Sequence, residues 1–225
     1  MDNPLEPARS LKEIKEPMIV RGENRIGLAV ILFQFFCSNM IVNYAFAFYP
    51  LYIDDNYPSI SSFETGIFLS IPDFAILLFG IPIGELAIKL GRKTAIRVAT
   101  ITLLSSATAL AFLTLVKNDK DVFLFASAFF RFIFGLGYIG VFVVGFGAIA
   151  SDYGPNAGKY NGYGEGFGGL GLFAGPILGS IFYQYLDFFD GYAFLCGVYA
   201  LCLIFVIFFY PKVKRDLQDH SDADQ

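Results

Sequence analysis

The chain has 225 residues, of which 56% are apolar, 16% charged and 18% aromatic, with a mean hydropathy of +0.58. Soluble domains carry about 25% charged residues, so this composition argues against an ordinary soluble domain and predicts a polytopic membrane protein. The net charge of −4 is carried mostly by tails and loops, and no basic, aromatic-interleaved surface points to nucleic acid.

Residues 1–25 are polar, contain Pro4, Pro7 and Pro17, and are expected to form a tail. The first apolar run starts too late and is too long for the core of a secretory signal. Six apolar stretches follow, near 26–52, 64–90, 94–116, 121–150, 159–186 and 191–210, and residues 211–225 form a second polar tail. Each stretch meets or exceeds the roughly 20 residues that an α-helix needs to cross hydrocarbon. Short alternating strands, the mark of a membrane barrel, are absent from this pattern. The expected fold class is therefore all-α, a polytopic bundle of six transmembrane helices.

Orientation follows from the cations. With both tails in the cytoplasm, Arg9, Lys12, Lys15, Arg21, Arg25, Lys89, Arg92, Lys93, Arg97, Lys159, Lys212, Lys214 and Arg215 lie inside. Lys117 and Lys120 lie outside and Arg131 within the membrane, which accounts for all 16 Lys and Arg. This is the positive-inside distribution, and it fits the plasma membrane and vesicular or organellar membranes alike. Cys37, Cys196 and Cys202 fall in apolar runs and His220 in a tail, so neither a metal site nor a cofactor is expected. No nucleophile–base constellation suggests an enzyme.

Four segments carry more specific information. In the first stretch, Gln34, Ser38, Asn39 and Asn43 form a polar set. They either line a solute pathway or act as interhelical hydrogen-bonding groups worth about 0.6 kcal/mol each. Between the second and third stretches, Gly84-Glu85-Leu86-Ala87-Ile88-Lys89-Leu90-Gly91-Arg92-Lys93 makes a tight basic turn. In the fourth, Arg131 heads Arg131-Phe132-Ile133-Phe134-Gly135, about ten residues into the span and hence near the midplane. A charge there costs about 2.5–3.5 kcal/mol on insertion scales, so an acidic partner or a wet cavity is expected. Asp73, at similar depth in the second stretch, is the candidate partner; Glu165 lies about two turns inside the fifth. In the fifth stretch Gly171, Gly175 and Gly179 form one ridge for close packing, with Pro176 opening the backbone ladder.

The turn resembles the loop between the second and third helices of major facilitator superfamily transporters, where it acts as a gating element. In the superfamily an acid stands where this chain has Ile88. Either Glu85 substitutes from one turn away or the inner latch is weaker. Arg131-x-x-x-Gly135 resembles the fourth-helix motif that faces the transport cavity and is linked to proton coupling. Gly171-x-x-x-Gly175-Pro176-x-x-Gly179 is similar to the fifth-helix motif of the drug:proton antiporter branch, which packs the two halves and limits leak. Glu165-Gly-Phe-Gly-Gly-Leu-Gly-Leu resembles vesicular amine and polyamine transporters, as do Asn39, Met40, Pro50 and Tyr52; Ser38 replaces an acid and Ala47 a proline of that pattern.

The resemblance implies half of a major-facilitator-type bundle that exchanges a small organic cation, such as an amine or polyamine, for protons. Those transporters have two six-helix halves with the solute site between them. Three explanations of a six-helix chain stay open: a fragment of a longer antiporter, a half completed by a second copy or a separate half, or a structural or assembly subunit derived from a transporter. A guanidinium in dry packing, remote from any solvated crevice, would favour the last.

Overall fold

The computed structural model describes residues 25–115 and 119–210. The polar tails, apart from Arg25, and Lys117 lie outside the described residues. The chain forms α1 (Arg25–Asn56), α2 (Ser62–Leu90), α3 (Arg92–Leu113), α4 (Lys120–Tyr153), α5 (Ala157–Tyr185) and α6 (Phe188–Phe209), with no strand among the described residues.

A 3₁₀ turn (Gly154–Asn156) joins α4 to α5, so five uninterrupted helical stretches are long and apolar enough to cross a membrane, one of them the 66-residue run Lys120–Tyr185. That run folds back at Gly154, where φ is 42°, and its two arms pack on each other. It therefore contributes two of the six helices.

Local chemistry sets the boundaries. Ser61 and Glu64 form a reciprocal capping box that starts α2, two residues ahead of the apolar run. Gly91 has φ 77° and serves as both the C-cap of α2 and the N-cap of α3. A side chain is disfavoured in that conformation, and no spacer separates the two helices.

Helix α1 is central, with α5 and α6 against it, while α4 packs on α2 and α3. The core divides into an aromatic-rich cluster, including Tyr44, Phe48, Tyr52, Phe123, Phe188 and Tyr192, and a second cluster around Ile31, Phe35, Val141 and Ile149. Helix α2 buries only Thr65, Pro72 and Ala75. Lipid is as apolar as leucine, so exposed Leu77 and Ile81 carry no penalty there, and close packing must supply cohesion instead.

Glycines supply it. A Cβ on Gly137 would lie 2.6 Å from the Leu103 backbone nitrogen, and one on Gly175 would lie 2.6 Å from the Met40 carbonyl oxygen. Gly171 meets the Phe36 carbonyl, and a Cβ on Gly179 would lie 3.2 Å from the Tyr44 oxygen. The Gly171–Gly175–Gly179 ridge thus seats α5 on α1 within this bundle. Pro176 sits in the same stretch of α5, which continues as helix through it.

Candidate functional site

Four helices bring polar groups to one face of the bundle. The Tyr138 hydroxyl of α4 donates to Asn39 Oδ1 of α1 at 3.0 Å. Asn39 Nδ2 donates to the Phe35 carbonyl at 3.1 Å, and Asn43 Nδ2 to the Asn39 carbonyl at 2.9 Å. Gly168 leaves room for the Asn39 amide, since a Cβ there would lie 3.0 Å from Nδ2. Asp73 of α2 and Glu165 of α5 both lie within electrostatic reach of Tyr138. Both are exposed, and neither forms an ion pair among the described residues. Tyr138, which no sequence motif singled out, is the residue that links the set.

Arg131 departs from expectation. It forms no ion pair with Asp73. Its guanidinium lies over the Tyr49 ring, 4.1 Å from the centroid, it is only 4% exposed, and its Nε and Nη2 have no hydrogen-bond partner. Backbone packing explains the separation. Gly135 brings α4 against the Pro72 backbone, and Asp73, the next residue, stays on the exposed side while Arg131 turns inward to α1. The two still border one crevice with Phe134 and Tyr192, with about 10 Å³ of room, enough for about one water. A desolvated cation–π contact is worth about 2 kcal/mol, comparable with the insertion cost of about 2.5–3.5 kcal/mol. The aromatic ring thus takes the place foreseen for a carboxylate.

At the other end of α2, Arg92 Nη1 donates to Asp152 Oδ1 at 2.9 Å and to Ser151 Oγ at 2.6 Å. The ion pair at this turn therefore ties α3 to the end of α4. Glu85 and Lys89 are exposed, and Glu85 is not the partner of Arg92. Asp152 was the acid to find. Its signal is the polar pair Ser151-Asp152 closing an otherwise apolar stretch. Gly84 faces Val143, where a Cβ would make an ordinary 3.6 Å contact, and Lys93 is half-buried.

Two ridges of glycine run along α5. One faces α1; the other, Gly158, Gly162, Gly166 and Gly169, meets open space. The sequence pattern of the Major Facilitator Superfamily matches residues 19–225. The chain belongs to the major facilitator superfamily. No individual curated protein matches it. It is an integral, multi-pass membrane protein of a superfamily whose members are transporters rather than enzymes.

Within this superfamily member, Ser38 takes a different position from Asn39 and Asn43. It is fully buried, and its Oγ lies 3.1 Å from the Tyr199 hydroxyl of α6. Gln34 donates to Thr100 Oγ1 of α3, and Thr100 donates to the Ile96 carbonyl at 2.6 Å. Cys37 and Cys202 are buried in the same seam. One residue is about 100° of helix turn, and that step carries Ser38 to the seam with α6, where it serves as an interhelical hydrogen-bonding group. Of the polar set, Gln34, Ser38 and Asn39 are buried and each is bonded to another helix, while Asn43 is half-buried.

Proposed function

We propose that this transporter exchanges a small organic cation, such as an amine or polyamine, for protons. One observation carries the proposal. Asp73 and Glu165 are carboxylates on different helices that form no ion pair among the described residues, and both lie within electrostatic reach of Tyr138, which bonds Asn39. Ionised, they attract a cation at membrane depth; protonated, they release it, because a neutral carboxyl offers no ion pair. Asn39 and Asn43 orient the solute by hydrogen bonding. Arg131 lines the same crevice as Asp73 and places a fixed positive charge beside the pathway.

The turn of Gly84, Glu85, Lys89, Gly91, Arg92 and Lys93 serves as the gating element at the cytoplasmic end. Arg25, Arg97 and Lys159 cluster with it by helix direction, which supports cytoplasmic termini. The open glycine ridge on α5 supports a second six-helix half, either another copy or a separate chain, closing the solute cavity across α2 and α5. Bilayer lipid covers the remaining apolar surface.

The test is exchange of labelled spermidine and of a labelled monoamine by proteoliposomes under an imposed pH gradient. D73N/E165Q is expected to lower uptake at least tenfold. Uptake equal to wild type removes the carboxylates from the mechanism.

The near-dry packing of Arg131 favours a second possibility, a non-transporting structural or assembly subunit. In that case the full chain gives no gradient-driven uptake, and a cysteine at position 43 stays unreactive toward aqueous thiol reagents.

A further inference from the structure

A second cavity lies at the opposite end of the bundle from the Arg92 turn, between the last turns of α1 and α5 and the start of α6. Its volume is about 480 Å³, within the range of about 300–1,000 Å³ typical of small-molecule sites. Phe48, Tyr52, Tyr183 and Phe188 wall it, and Asp55 and Asp187 stand at its lining.

The rings hold one another. Phe48 meets Tyr183 and Phe188 edge-on at 5.1 and 4.8 Å, and Tyr52 lies 4.5 Å from Phe188. The Tyr52 hydroxyl is fixed to the Thr114 carbonyl at 3.1 Å. Tyr183 donates to Asp55 Oδ2 at 2.7 Å, which aims that carboxylate and leaves Oδ1 open. Asp187 occupies the N-cap position of α6 yet makes no side-chain capping bond. Neither acid pairs with Lys or Arg among the described residues.

Aromatic faces and unspent carboxylates around one space are complementary to a positively charged organic group. A ring attracts a cation through its quadrupole, and aromatic cages recognise ammonium groups that way. Bare divalent ions fit poorly, since calcium takes six to eight oxygen ligands and two carboxylates, Asp55 and Asp187, stand at this wall.

We propose that this cavity binds a compact organic ammonium group, at a site separate from Asp73 and Glu165 and independent of their role. Two sources carry that group. Helix α1 has 32 residues, about 48 Å of rise against about 30 Å of hydrocarbon, so its last turns reach headgroup depth. A choline headgroup of a lipid and a free amine therefore both meet the cavity.

The experiment is titration of choline, followed by saturation-transfer NMR, onto the full chain in nanodiscs of phosphatidylglycerol alone or with phosphatidylcholine. In phosphatidylglycerol, saturable binding is expected, weakened at least tenfold in D55N/D187N and several-fold in Y183L, with unchanged unfolding midpoints. Loss of choline binding when phosphatidylcholine is present assigns the site to the lipid headgroup; persistence assigns it to the free solute. Absence of saturable binding in phosphatidylglycerol, or equal binding by wild type and D55N/D187N, overturns the proposal. D73N/E165Q is expected to bind choline here as wild type does, so the two proposals fail separately.

Discussion

The two sides of α1 handle polarity in opposite ways. On one side, the buried Asn39 bonds Tyr138, which lies within electrostatic reach of the exposed Asp73 and Glu165, two carboxylates that form no ion pair among the described residues. On the back, Gln34 and Ser38 reach neutral partners on α3 and α6 and are sealed from solvent. An unpaired carboxylate is tolerable only where water or a solute reaches it, whereas a neutral hydroxyl pair is tolerable in dry packing. The contrast teaches that polar groups inside a span differ in the charge they leave unmatched, and that residue type alone does not distinguish the two.

The largest effect expected is on the frame that carries both sides. G175L drives a side chain into the Met40 carbonyl, where overpacking costs about 1–3 kcal/mol or more, and the bundle is expected to lose its monodisperse peak in size-exclusion chromatography. G166A adds a methyl group to open space and is expected to keep that peak. Next is R131M, which removes a buried cation lacking a carboxylate partner. Its thermal stability is expected to hold or rise while gradient-driven uptake disappears. A fall in stability by more than about 2 kcal/mol would reveal a counter-ion for Arg131 and erase the contrast between the faces.

At the cytoplasmic turn, R92A and D152A are each expected to cost about 1 kcal/mol, the upper range for a partly exposed ion pair. Their effects should be non-additive in a double-mutant cycle, with partial recovery in R92D/D152R. Additivity would mean that the pair contributes nothing. The smallest effect belongs to the back seam. Y199F deletes the contact to Ser38 and is expected to cost about 0.6 kcal/mol, leaving uptake unchanged. A transport defect in Y199F would put the seam on the pathway.

The helices were legible because each apolar run exceeds bilayer thickness, and the glycine ridge because its four-residue spacing holds on any helix face. What the ridge touches was not legible. The same spacing serves a neighbouring helix or a separate half, and only the position of α1 decides. The Arg92–Asp152 pair spans 60 residues of chain and exists because α3 and α4 pack side by side. Arg131 was readable as a buried cation, but its partner was not. A carboxylate at matching depth is visible in sequence, whereas a tyrosine ring one helix away looks like any other apolar neighbour. Asn39 and Ser38 adjoin in sequence, and which helix each of them bonds depends on where Tyr138 and Tyr199 fall, an outcome of assembly rather than of spacing.

Gly91 belongs to two helices at once, and that economy has a mechanical result. An elbow without slack cannot absorb a tilt: whatever swings the second helix is delivered to the third undamped, and the arginine next to the elbow passes it on to the fourth. Lengthening the elbow by even a few flexible residues would uncouple the lever while leaving every rod intact.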